Sequence, residues 1–272
     1  MKYASDFRRI ALDALQGNWR VAILTGFVAS LMGASLWGAG SSSSSSAGSS
    51  SENLFYNLDS ATLQLIQTIL VIALVVLIVW SIVTFIIGGA AKFGYAIFNL
   101  NLVDGKEARF SDLFSQFDRL GSGIIMNLLV GIFTVLWTLL FIIPGIIKSY
   151  SYSMTAFVLA EHPELSENEA ITRSRELMDG NKWRLFCLMF SFIGWELLIC
   201  GPLLVSLVML ISKFAIGIGT VGAGTWIFLG ISFAFLFVGQ LFLTPYQHAA
   251  LAAFYRDISA EQASVLPGEI IE

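Results

Sequence analysis

Charge is scarce in this chain. Only 12% of its 272 residues are Asp, Glu, Lys or Arg and 56% are hydrophobic, against about 25% charged in ordinary soluble domains, so water cannot be its main solvent. Cysteine is nearly absent. The 2 present, Cys187 and Cys200, sit thirteen residues apart in one apolar stretch, and a helix turning about 100° per residue points them in separate directions. That spacing argues against a mutual disulfide and offers no metal pattern. Histidine is equally rare: His162 and His248 stand far apart with no carboxylate or cysteine cluster at ligand spacing, so neither reads as a metal ligand. No HExxH, nucleophile elbow or P-loop occurs, which leaves hydrolase and ATPase chemistry without a motif. The net charge of −4 argues against a nucleic-acid partner.

Long apolar runs are what the chain has in quantity. A hydrocarbon core of about 30 Å takes roughly 20 residues of helix, and spans are expected near residues 19–39, 63–91, 122–143, 145–160, 185–212 and 224–250. Of the 15 basic residues, all but Lys148 and Lys213 fall in segments that this six-span arrangement puts on one side, as the positive-inside bias requires. A single span through residues 124–160 would move Arg173, Arg175, Lys182 and Arg184 to the other side, so a turn at Pro144-Gly145 is expected instead. The apolar start followed by Gly38, Ala39 and Gly40 imitates a secretory leader, but Asp6 and Asp13 interrupt the region that should be purely basic, and an uncleaved first span is the expectation. The fold class is therefore an all-α polytopic helix bundle. It forms a single membrane domain over residues 1–272, with both termini cytoplasmic in the cell membrane.

Residues 40–61 form the first outer loop, opening on the serine-rich Gly40–Ser51, which reads as a spacer. Three cytoplasmic segments read as amphipathic helices, two of them within residues 99–121 and 161–184. In Tyr3–Gln16 the residues Phe7, Ile10, Ala14 and Leu15 share a face opposite Arg8, Arg9 and Asp13, with Leu12 the exception. In Phe110–Leu120 the apolar set is Phe110, Leu113, Phe114, Phe117 and Leu120; in Glu167–Asp179 it is Ala170, Ile171, Leu177 and Met178. Such faces are expected to lie along the membrane interface, with Phe7, Phe114, Phe117 and Leu177 as contacts. The last helix opens on a capping box, Ser166 and Glu169, and ends at Gly180. The junction Leu15-Gln16-Gly17-Asn18-Trp19-Arg20 recurs as Met178-Asp179-Gly180-Asn181-Lys182-Trp183-Arg184 with one inserted Lys, which points to repeated helix-plus-hairpin units about an axis along the membrane normal.

Between Ile143 and Trp195 the residues become specific. Pro144-Gly145-Ile146-Ile147-Lys148, Tyr150, Tyr152-Ser153-Met154, Pro163, Ser174 to Gly180 and Phe190 to Trp195, with Pro245-Tyr246 and Ala253-Phe254-Tyr255 later, resemble the DUF975 family of bacterial integral membrane proteins, as does the start Ala14 to Trp19. The resemblance implies a multi-pass membrane protein without an established activity. The spacing of Ala170, Ser174, Leu177 and Gly180 is also similar to YciC-like proteins and to membrane domains attached to some glycerophosphodiester phosphodiesterases. It carries over no catalytic residue.

Glu196 is the foremost chemical candidate. An ionisable group inside a span is costly and usually faces a bundle interior, water or a partner. Lys148 is a candidate counter-ion, the alternative being a lysine that snorkels to the interface. Asn127, Gln64, Gln67 and Gln240 can line a polar path or simply bond between helices. Pro202 and Pro245 are expected to bend their spans, and Gly217-Ile218-Gly219-Thr220-Val221-Gly222 matches a dinucleotide fingerprint without the strand that motif needs. The expected function is a non-enzymatic scaffold or regulator whose partners are membrane lipids and proteins at the cytoplasmic face, with no cofactor, no metal and no nucleic acid. The alternative is a small-solute or lipid transporter using Glu196.

Overall fold

Long apolar runs leave the backbone only itself to bond with, and helix satisfies every N–H and C=O locally. The computed structural model describes residues 2–34, 60–216 and 222–265, and every regular element among them is helical. The serine-rich segment up to residue 59 and the glycine-rich 217–221 lie outside the described residues. Four helical stretches are long and apolar enough to cross a membrane: Gln67–Val103, Phe110–Leu140, Ile193–Lys213 and Ala223–Ser264, with Trp19–Leu31 a shorter apolar helix.

The chain begins with α1 (Ala4–Leu15) and α2 (Trp19–Leu31). Next, α3 (Ser60–Val103) runs for 44 residues, about 66 Å at 1.5 Å per residue. Leu65 and the side chains from Gln67 to Ile86 point outward almost throughout, whereas Ala90, Ala91, Phe93, Tyr95, Ala96, Phe98 and Leu100 are buried. The expected end near residue 91 is thus too early. Residues 92–103 continue the helix because they enter a protein core made with α1, the last helix and the segments after residue 152.

Two hairpins follow. Residues 110–120 were expected as one amphipathic helix and instead form two short 3₁₀ turns, Phe110–Phe114 and Phe117–Arg119. Asp112 closes the first by accepting from the Arg109 backbone N–H at 3.1 Å and from Asn101 Nδ2 at 3.2 Å. Gly94 lets this segment lie flat on α3, since a Cβ there would stand 2.2 Å from the Leu113 carbonyl oxygen. Leu113 is accordingly the buried anchor, while Phe114 is 43% exposed and Phe117 is half-buried.

Helix α4 (Leu120–Leu140) ends at Phe141, whose backbone is extended, and α5 (Ile142–Tyr152) folds back from there. The expected turn at Pro144-Gly145 is displaced: Pro144 occupies the first turn of α5, where its missing N–H is no loss. Gly145 serves close packing, because a Cβ there would meet Thr138 Oγ1 at 2.2 Å. The chain breaks again before α6 (Thr155–Glu161), so residues 145–160 are two helices.

Helix α7 (Glu167–Leu177) is capped as its sequence requires: Ser166 N–H donates to Glu169 at 2.8 Å and Glu169 N–H donates to Ser166 Oγ at 3.4 Å. The expected span 185–212 is divided into α8 (Lys182–Phe190) and α9 (Ile193–Ile216). The final helix, α10 (Ala223–Val265), contains Pro245 without stopping. The repeated junction holds at the level of atoms. Gly17 and Gly180 take φ of 83° and 74°, conformations that glycine reaches without strain, and Asn18 and Asn181 each donate a side-chain N–H to the carbonyl four residues back.

α1, α6, α7 and the inner halves of α3 and α10 make a packed end; the outer halves of the long helices make an apolar end. Phe7 is wholly buried edge-on to Phe254 at 5.3 Å, and Leu177 is buried too, so these faces dock on protein. Burying such a side chain is worth about 1.5–3 kcal/mol.

Candidate functional site

α9 and α10 approach closely where Gly239 faces Ile199; a Cβ on Gly239 would stand 2.7 Å from the Ile199 side chain. One turn before Ile199 is Glu196, and beside Gly239 is Gln240. Gln240 Nε2 donates to Glu196 Oε2 at 2.8 Å, and Gln247 Nε2 donates to Glu196 Oε1 at 2.9 Å. Each carboxylate oxygen therefore receives one amide N–H, from side chains two turns apart on α10. Thr244 Oγ1 approaches Gln240 Oε1 at 3.5 Å between them. All four residues are half-buried. This polar seam pairs the carboxylate, set in the first turn of an apolar helix, with amides of its neighbour.

Lys148 is not brought to Glu196. Its ammonium lies 4.8 Å from the centre of the Trp137 ring, a cation–π contact between α5 and α4. Asn127 joins a different pair, accepting at 2.9 Å from Lys92 Nζ. Lys92, one of the charges expected on the cytoplasmic side, is carried by α3 half-buried against α4, beside the backbone crossing of Gly89 and Gly123. Gln64 and Gln67 are exposed near the start of α3. Gln247 escaped the sequence reading, although its place seven residues after Gln240 was a usable signal. The run Gly88-Gly89-Ala90-Ala91 was another: Cβ atoms on Gly88 and Gly89 would strike the backbones of Met32 and Gly123 at 2.9 and 2.3 Å.

A groove of about 240 Å³ opens between α2 and α10, lined by Phe27, Leu31, Phe237 and Leu241 and, on its polar side, by Gln240 and Thr244. At the packed end, two clamps hold α10. Arg184 donates to Asp257 at 2.6 Å and to Glu261 at 3.0 Å, with Lys2 3.3 Å from Asp257. Arg256 makes a bidentate contact to Asp104 at 2.7 and 2.9 Å and also pairs with Glu161. Arg119 donates to the Leu159 and Pro163 carbonyls at 3.0 and 3.2 Å, capping α6 with a cation. Among the described residues, no group of three or more His, Cys, Asp or Glu is placed to hold a metal ion. Cys187 and Cys200 are free thiols.

A bundle with several helices able to cross a membrane, a polar seam between two of them and an ion-paired end defines a possible multi-pass helical membrane protein. Residues 139–262 match DUF975, a family described as protein of unknown function. The match bears out the family resemblance from the end of α4 through most of α10 and includes Glu196, Gln240, Gln247, Arg184 and Asp257; the start Ala14 to Trp19 lies outside it. No curated protein and no solved structure matches the chain, so the further likeness to YciC-like and phosphodiesterase membrane domains gains no support.

Proposed function

We propose that this chain is a non-enzymatic scaffold or regulator of the cell membrane. In this reading it crosses six times, through α2, α3, α4, α5–α6, α8–α9 and α10, with both termini cytoplasmic. The carrying observation is the packed end. It gathers α1, α6 and α7 around the inner halves of α3 and α10 and locks them with paired charges. A closed, rigid platform beside the basic segments suits holding lipids and protein partners; nucleic acid has no place in this reading. Cysteine accessibility in intact cells tests the topology: a single cysteine at Glu167 should stay unlabelled from outside, and one at Ser46 should label.

The Glu196 seam favours a second reading, a small-solute or lipid transporter. Purified protein in proteoliposomes separates the two. A pH-driven flux lost in Glu196→Gln would replace the scaffold by the transporter, whereas equal leak in both proteins supports the scaffold.

A further inference from the structure

Beyond the Glu196 seam, a second group of polar side chains lies where α2, α3 and α10 meet, and the described residues leave several of its atoms unpaired. Thr25, Tyr95, Asn99 and His248 are between 0 and 5% exposed, yet among the described residues Thr25 Oγ1, Tyr95 Oη, Asn99 Oδ1 and His248 Nδ1 have no partner at hydrogen-bond geometry, the Asn99 side chain being close to the Tyr95 hydroxyl. The group is compact. The Tyr95 and His248 rings meet edge-on with centroids 5.0 Å apart. Asn99 follows one turn after Tyr95 and uses its amide on the Tyr95 carbonyl at 2.7 Å, which leaves its oxygen free. Thr25 belongs to the buried face of α2, with Ala22, Gly26 and Ala29, and a Cβ on Gly26 would stand 3.1 Å from Tyr95 Oη.

Buried polar atoms without partners are rare because each forfeits its hydration. Four at one helix junction do not persist dry when water, able to donate and accept about three bonds, can enter. The groove between α2 and α10 comes nearest to the site: Gly26 and Pro245 line that groove, and on its far side a Cβ on Gly26 would stand beside the Tyr95 hydroxyl, so the backbone at Gly26 is all that separates the two there. We propose that Thr25, Tyr95, Asn99 and His248 form an internal hydrated site, its ligand ordered water reached through the α2/α10 groove.

Hydroxyl-radical footprinting of the intact wild-type protein in nanodiscs reads this directly, because internal water generates radicals where it is bound. Tyr95 should be modified severalfold faster than Met154 and Phe157, which are equally buried but apolar. Two nearly isosteric variants give the energetic counterpart. In a hydrated site Tyr95→Phe and Thr25→Val each remove a made hydrogen bond and should lower the unfolding midpoint by about 2–4 °C; in a dry site they remove an orphan and should raise it. An unmodified Tyr95 overturns the proposal, as does either variant with an unchanged or raised midpoint. If a variant does not fold, the footprint alone decides.

Discussion

Along α3, residues 65–86 and residues 88–102 belong to one uninterrupted helix but answer to different surroundings. The first stretch turns Leu, Ile and Val outward over about 33 Å, close to the hydrocarbon thickness of about 30 Å. The second buries Phe93, Tyr95 and Phe98 among other protein side chains. α10 makes the same change near Leu243. In lipid, apolar surface gains nothing by leaving the solvent, so helices there adhere through small residues and hydrogen bonds. Gly89 against Gly123, Lys92 with Asn127 and Glu196 with its glutamines, all where the two stretches meet, and Lys213 with Thr225 at 2.7 Å in the apolar end are contacts of that kind. The packed end instead has large buried aromatics and the clamps of α10. The comparison teaches that the packed end fixes which helices are neighbours, while sparse polar rungs at its border and beyond set their register.

Breaking a clamp should therefore have the largest effect. Arg184 and Asp257 are 15% and 16% exposed, and Arg184→Ala leaves two carboxylates short of a partner. The expected loss is about 2–3 kcal/mol, below the 3–5 typical of a fully buried pair. It is measured as the unfolding midpoint in detergent, where the loss should shrink at high salt. Gly89→Ala tests the border between the two ends, where a helix crossing and not an ion pair is broken. A Cβ 2.3 Å from the Gly123 backbone forces α3 and α4 apart, at about 1–3 kcal/mol, and here salt should have no influence. If the Arg184 and Gly89 variants respond to salt alike, the division between the two ends is wrong.

Much of this was legible in the sequence, and the limits have physical causes. The apolar runs, the α7 capping box and the repeated Gly-Asn junctions are local signals, carried by residues within a few positions of one another. The prominence of Glu196 follows from a single residue type in a single setting. Its partners do not, because Gln240 and Gln247 reach it only after α9 and α10 have packed at Gly239. The 3₁₀ turns at 110–119 were hidden for a similar reason: a helical period fits Phe110, Leu113, Phe114 and Phe117, but Gly94 and Asp112 impose a flatter path. Lys92 was counted with the basic residues of one side, and only the packed structure supplies Asn127 as its partner.

A double-mutant cycle sharpens the register argument. Glu196→Leu and Gln247→Leu should be coupled by about 1 kcal/mol, as residues sharing a hydrogen bond are. Glu196→Leu and Lys148→Met should be additive within about 0.5 kcal/mol, because Lys148 is engaged with Trp137. Coupling to Lys148 in place of Gln247 would reassign the partner of the carboxylate.

The smallest effect belongs to the edge of the packed end, where α7 starts in contact with water. The Glu169 carboxyl is held below the usual carboxylate range, chiefly because the Ser166 backbone N–H donates to it, with the Ser166 hydroxyl adding a second bond. A lowered pKa means the folded state takes up this proton less readily than the unfolded one. The stabilisation is therefore complete above the unfolded carboxylate value and disappears as pH falls through the lower, folded one. Amide exchange in the first turn of α7, corrected for its intrinsic pH dependence, should accelerate below about pH 4, while the middle of α10 stays protected. Glu169→Gln removes the titrating group, so its first turn should exchange independently of pH across that range. Persistence of the acid-induced opening in Glu169→Gln would assign the pH response to another carboxylate of the packed end.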